Sequence, residues 1–148
     1  MISYKYRTSI FHLVVYFVSL VVVQITYASD AAPHQMPSEN GIIAYYFYGN
    51  FRCPTCRTIE QLSRQSIENH FQKQLKDGSL IFLPVNIDAP ENRHFIDDYK
   101  LVTRSLVITK IQGGKQVSWK NLDKVWQLVR NEEKFDQYIK TEIENYLK

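Results

Sequence analysis

The chain contains two cysteines, Cys53 and Cys56, and both stand in the stretch Gly49-Asn50-Phe51-Arg52-Cys53-Pro54-Thr55-Cys56-Arg57. Thiols this close can be joined in a disulfide and separated again by exchange with a partner's disulfide or dithiol. Two blander readings stay open beside redox exchange, which is preferred. One is half of a zinc site. Tetrahedral zinc needs four ligands, no second cysteine pair exists, and His70 and His94 lack ligand spacing to each other. The other is a structural clasp, but so short a loop constrains the unfolded chain little, and the gain in stability is small.

The neighbouring residues predict how the sulfurs are held. Gly41 to Tyr48 is a nearly continuous apolar run, β-branched and aromatic, bounded by glycines. It reads as a strand buried on both faces. After the cysteines, Ile59, Leu62, Ile67, Phe71 and Leu75 recur at helical intervals, which predicts one helix from Pro54 to Lys76. Proline suits the first helical position, where its missing N–H costs nothing. Cys53 then becomes the N-cap and Cys56 the third helical residue. A sulfur at an N-cap faces the free amides of the first turn and the positive end of the helix dipole. Arg52 and Arg57 add positive charge nearby, so thiolate is favoured over thiol at Cys53. Residues at these two helix positions are about 5–6 Å apart, which fits the roughly 5.5–6 Å between Cα atoms that a disulfide requires.

The chain has 148 residues, 45% hydrophobic and 22% charged, which bounds it to one globular domain with a real core. Its net charge is +3, and no basic cluster is interleaved with stacking aromatics, so nucleic-acid binding is not indicated. Residues 1–28 read as a secretory signal. Lys5 and Arg7 give a positive start, Thr8 to Ala28 carry no Asp, Glu, Lys or Arg, and small residues precede a cleavage point after Ala28. The alternative is an uncleaved membrane anchor through residues 8–28, since that span approaches the ~20 residues needed to cross a bilayer. Residues 29–40 are a polar linker with two prolines, and its His34 and Met36 are read as incidental. The folded domain is expected over residues 41–148. It is exported to an oxidising compartment, periplasmic or otherwise extracytoplasmic, where disulfide chemistry is available.

Beyond the first helix, Gly78 is expected as its left-handed cap. Leu80 to Ile87 reads as a second strand, and Pro84 confines it to a sheet edge. Asp88 and Pro90 are expected to open a second helix through Phe95, Ile96 and Tyr99. Arg104 to Ile111 and Lys115 to Trp119 read as a hairpin turning at Gly113-Gly114. A short helical segment follows from Asn121 and Asp123, and Asn131 caps a final helix with Phe135, Tyr138, Ile139, Ile143, Tyr146 and Leu147 on its apolar stripe. The cysteines thus lie beyond the carboxyl end of the first strand, where open α/β sheets place their sites.

This element order together with Cys53-Pro54-Thr55-Cys56 resembles the thioredoxin superfamily over roughly residues 41–147. More narrowly, Tyr45 to Cys56 and Trp119-Lys120-Asn121-Leu122-Asp123 look like a group of small exported thioredoxin-like proteins of poorly defined function. The resemblance implies a three-layer α/β/α sandwich of order βαβαββα with a four-stranded mixed sheet. It implies that Cys53 is the attacking nucleophile and Cys56 the resolving cysteine, with Pro54 and Thr55 as the motif residues that tune potential. Two departures stand out. The superfamily's cis-proline before the third strand has no counterpart, and Ser105, or failing that Arg104, occupies its place. The buried acid six residues before the attacking cysteine is replaced by Phe47. The expected function is an exported thiol–disulfide oxidoreductase acting on protein or small-molecule thiols and disulfides, with no cofactor and no metal, as a monomer. Its potential is expected between about −270 mV, that of a reductase, and about −120 mV, that of a strong oxidant. A Cu(I)-handling chaperone and a non-enzymatic interaction domain are the alternatives.

Overall fold

The run Gly41–Tyr48 forms β1, and it is buried along almost its whole length because strands flank both its edges and core clusters cover both its faces. The computed structural model describes residues 39–148. The signal or anchor segment, the cleavage point after Ala28 and all but the last two linker residues lie outside the described residues. Among the described residues no helix is long and apolar enough to cross a membrane.

Four strands make one sheet in the order β2-β1-β3-β4. β2 (Leu80–Asn86) runs parallel to β1, with Ile42 opposite Leu80 and Tyr48 opposite Asn86. β3 (Ser105–Gln112) runs antiparallel to β1, with Phe47 opposite Ser105, and β4 (Lys115–Asn121) runs antiparallel to β3. Pro84 sits on the edge strand β2, where its missing donor faces away from the ladder. Gly113 and Gly114 both have positive φ, 57° and 71°, as a two-residue hairpin turn of matching twist requires.

Side chains of a strand alternate between its two faces, and β1 divides the interior accordingly. Ile42, Ala44 and Tyr46 pack with Ile59 and Ile67 of α1 (Pro54–His70) and with Phe135, Ile139 and Ile143. Those last three belong to α5 (Glu132–Leu147), which Asn131 caps by accepting a hydrogen bond from Lys134 N at 3.0 Å. Ser66 Oγ donates to the Asp136 carbonyl at 3.3 Å, and His70 Nε2 lies 2.7 Å from Asp136 Oδ2, which ties α1 to α5. Ile43, Tyr45 and Phe47 face the other way, into an aromatic cluster with Phe95 and Tyr99. The Phe47 and Phe95 rings are 5.2 Å apart. Helices therefore cover both faces of the mixed sheet, and the fold is a thioredoxin-like α/β sandwich.

Several boundaries differ from the sequence reading. The helix expected over 54–76 is two helices, α1 and the six-residue α2 (Gln72–Asp77), parted at Phe71, which has φ −126° and ψ 31°. The buried Phe71 ring continues the apolar spacing from Ile67, so periodicity alone hides the break. α2 then ends at Gly78 with φ 77°, the left-handed cap expected there. The second helix is a 3₁₀ turn, Pro90–Asn92, followed by the five-residue α3 (His94–Asp98). Asp88 is not its cap, because its carboxylate is taken by the backbone N–H of Asn50 at 2.7 Å. β2 ends one residue earlier than expected, β3 starts one residue later, and β4 extends past Trp119 to Asn121. The short segment between β4 and α5 is the single turn α4 (Val125–Leu128).

Candidate redox site

β1 ends at Tyr48, and the chain crosses the top of the sheet in four residues before α1 begins its cap. Gly49 leaves room at that crossing for two polar side chains. A Cβ there would lie 2.5 Å from Arg104 Nη2 and 2.6 Å from Asp88 Oδ2, closer than a side chain tolerates without displacing them. The loop is pinned from β2 as well. Asp88 Oδ2 accepts from Asn50 N, and Asn86 Nδ2 donates to Asn50 Oδ1 at 2.8 Å.

Cys53 follows in the extended conformation of an N-cap, φ −66° and ψ 155°, with Pro54 in the first helical turn. Its Sγ accepts from the backbone N–H of Cys56 at 3.0 Å. A free amide of the first turn is thereby satisfied by sulfur. Cys53 and Cys56 are joined in a disulfide, with their Cα atoms 5.1 Å apart. Their exposures differ: Cys53 is half-buried, whereas Cys56 is buried at 5% exposure on the sheet side of α1. Tyr46, fully buried on β1, donates its hydroxyl to the Cys56 carbonyl at 2.5 Å. Burial pushes the Tyr46 phenol up to about 12, against the smaller lowering effects of Arg52 and Arg104, so it stays a donor at neutral pH.

The cations singled out in the sequence are placed differently. Arg52 lies 4.2 Å over the Tyr48 ring and forms an ion pair with Glu60 of α1, and its Nε is buried without a hydrogen-bond partner. Arg57 is exposed on α1. Ser105 heads β3 opposite Phe47 but is turned inward: it is 2% exposed and its Oγ donates to the Thr103 carbonyl at 2.9 Å. No peptide bond among the described residues is cis. Phe47, where the resemblance would place a buried acid, is fully buried in the aromatic cluster.

Beside the pair, Pro54, Thr55 and Thr58 of α1 face Trp126, Val129 and Arg130 across an open groove of about 480 Å³. Trp126 Nε1 donates to the Arg104 carbonyl at 2.9 Å, fixing the loop that enters β3. Two large apolar side chains stand out to solvent on the connecting loops, Phe51 at 77% and Val102 at 95% exposure. Among the described residues no cluster of three or more His, Cys, Asp or Glu side chains comes together. His94 Nδ1 lies 2.8 Å from Asp98 Oδ2, so both histidines considered as ligands are paired with carboxylates.

The sequence reading did not single out Tyr46, Glu60, Asp88 or Trp126 for the site. A signal existed for Tyr46, since a hydroxyl in the middle of a buried strand must find an acceptor. Glu60 is eight residues from Arg52, a spacing that no local pattern flags.

No protein-family model matches the sequence, and no curated protein is detectably similar to it. Among solved structures it is similar to the reduced thioredoxin pre-protein of Schistosoma mansoni, at 21% identity and a TM-score of 0.39 over 66% of this chain and 81% of that one. It is also similar to a thioredoxin of Fasciola hepatica, at 20% identity and a TM-score of 0.40 over 70% of this chain and 81% of that one. A third similarity is to the first two thioredoxin domains of a Naumovozyma dairenensis protein, at 16% identity and a TM-score of 0.42 over 73% of this chain and 40% of that one.

Proposed function

We propose that this thioredoxin-like domain is an exported thiol–disulfide oxidoreductase that acts on protein disulfides, with Cys53 as attacking and Cys56 as resolving residue. The observation that carries the reading is the asymmetry of the pair. The half-exposed Cys53 caps a helix with its sulfur on the amide of Cys56, while its bonded partner is buried. An outer sulfur with thiolate support and an inner sulfur within bonding distance are what a two-step exchange needs. The exposed Phe51 and Val102 support a protein partner, because apolar side chains on both loops would be covered by its surface. Export rests on the sequence of residues 1–28.

In the reducing direction the Cys53 thiolate attacks one sulfur of a partner disulfide. A mixed disulfide forms, and the partner's other sulfur leaves as a thiolate and takes a proton. Cys56 then gives up its proton and attacks Cys53 Sγ. The mixed bond breaks, the second partner sulfur leaves and is protonated, and the pair ends as the disulfide seen here. The partner has gained two electrons and two protons. Run backwards, the same steps oxidise a partner dithiol.

The test is trapping. Cys56→Ser in the full chain should accumulate mixed disulfides through Cys53, visible as reductant-sensitive adducts on gels. Adducts formed by Cys53→Ser but not by Cys56→Ser would reverse the roles, and none from either variant would remove the reading.

A further inference from the structure

Arg52 immediately precedes the proposed attacking cysteine, so its charge would be expected to act on the Cys53 sulfur. In this disulfide form it is engaged elsewhere. Its guanidinium is stacked on Tyr48 and paired with Glu60, whose side chain is only 17% exposed. Glu60 is one turn beyond Cys56 on α1, and helix residues four apart share a flank. Helical side chains also lean toward the N-terminus, which directs the Glu60 carboxylate back toward the cysteines. Two opposite charges thus flank the pair and offset one another. The buried Arg52 Nε has no acceptor in this oxidised form, whereas reduction creates a new anion on the next residue.

We propose that the Arg52–Glu60 pair sets the balance between disulfide and dithiol, its two charges acting in opposite directions on the Cys53 sulfur. The proposal rests on the thiol–disulfide reading above and assigns Glu60 and Arg52 as positioning and tuning residues, with no contact to the reacting partner. In reduction by a low-molecular-weight thiol such as glutathione, two thiols are oxidised to one glutathione disulfide. The protein gains two electrons, Cys56 takes one of the two thiol protons, the other is released to solvent, and Cys53 is left as thiolate. Arg52 favours that thiolate and Glu60 disfavours it, so removing either residue releases the other's effect.

The remaining charges around the pair are common background. Asp88 is hydrogen-bonded to Asn50, and Arg104 lies against Gly49 from the β3 side. Arg64, a turn past Glu60, stacks 4.7 Å from the Phe82 ring centroid and lies 4.0 Å from Glu68. Arg57 and Arg130 are exposed, and Tyr46 is a neutral donor.

The experiment equilibrates the full chain with glutathione redox buffers and titrates the ultraviolet absorbance of the Cys53 thiolate against pH. It compares wild type, Glu60→Gln, Arg52→Gln and the double variant. Removing one charge at a partly shielded site moves such an equilibrium about tenfold, which is about 30 mV for a two-electron couple. Glu60→Gln should shift toward the dithiol, with thiolate forming at lower pH. Arg52→Gln should shift as far the opposite way, and the double variant should fall between them. Loss of a merely structural ion pair would not move the two single variants in opposite directions. If Glu60→Gln does not fold, the double variant must still lie on the dithiol side of Arg52→Gln. Shifts of the same sign, or none beyond about twofold, in a protein that still exchanges with glutathione would overturn the proposal. A wild-type chain that does not exchange at all would instead overturn the underlying reading.

Discussion

Reducing the Cys53–Cys56 bond, without touching any other residue, distinguishes a redox centre from a clasp by its effect on stability. The bond closes a loop spanning a sequence separation of three. Chain entropy for so small a loop gives the disulfide about 1.9 kcal/mol at most at 25 °C. Reduction returns part of this, because a Cys53 thiolate at the N-cap keeps the Cys56 amide as donor and meets the helix dipole, an interaction of roughly 0.3–1 kcal/mol, up to about 2. The second term offsets part or all of the first, so the dithiol form should be between zero and about 1.6 kcal/mol less stable. For a domain of this size that is a fall in Tm of about 8 °C or less. Calorimetry with and without a phosphine reductant at neutral pH measures it directly. A drop beyond about 15 °C, or unfolding on reduction, would refute the reasoning, because the bond would then be holding the fold together.

Two further outcomes follow from contacts near and far from the sulfurs. Tyr46→Phe keeps the buried ring and removes only the hydrogen bond to the Cys56 carbonyl, so it should cost about 1 kcal/mol, read as a lower urea midpoint at unchanged slope. A loss above about 3 kcal/mol would mean that the hydroxyl does more than orient the helix start. Asp136 tests the α1–α5 tie. Partial burial alone would raise its carboxyl, but hydrogen bonds from His70 and Ser66 outweigh this and hold it below the ordinary carboxylate range. A lowered folded value means that its contribution is fully present above the unfolded value of about 3.9 and drains away as pH falls through the folded one. Asp136→Asn should therefore flatten the acid limb of the stability curve, and a variant that loses stability with acid as steeply as wild type, from the same starting value at neutral pH, would show that the contact contributes nothing.

What the sequence made legible was governed by short-range physics. The buried run of β1, the Cys53 cap before Pro54, the glycine hairpin and the Asn131 cap each depend on a few neighbouring residues, and each is found in place. The edge position of β2 followed from one missing N–H at Pro84. What was illegible depends on residues distant in sequence. Asp88 reads locally as a cap, yet the amide of Asn50, 38 residues away, takes its carboxylate. The break at Phe71 is concealed because its ring satisfies the same apolar spacing that an unbroken helix would show. Arg52 reads as a free cation beside a sulfur until the fold brings Glu60 to it. The inward turn of Ser105 follows from Thr103 and Asn121, which only strand pairing assembles.

Trp126 faces Pro54 and Thr55, the two residues enclosed between the sulfurs, across the groove, while Trp119 lies on β4 against Tyr99. A disulfide accepts an electron from a nearby excited indole and darkens its emission. The emission of Trp126 is therefore expected to rise when the bond opens, over a background from Trp119, which would let the state of the cysteines be followed without a label.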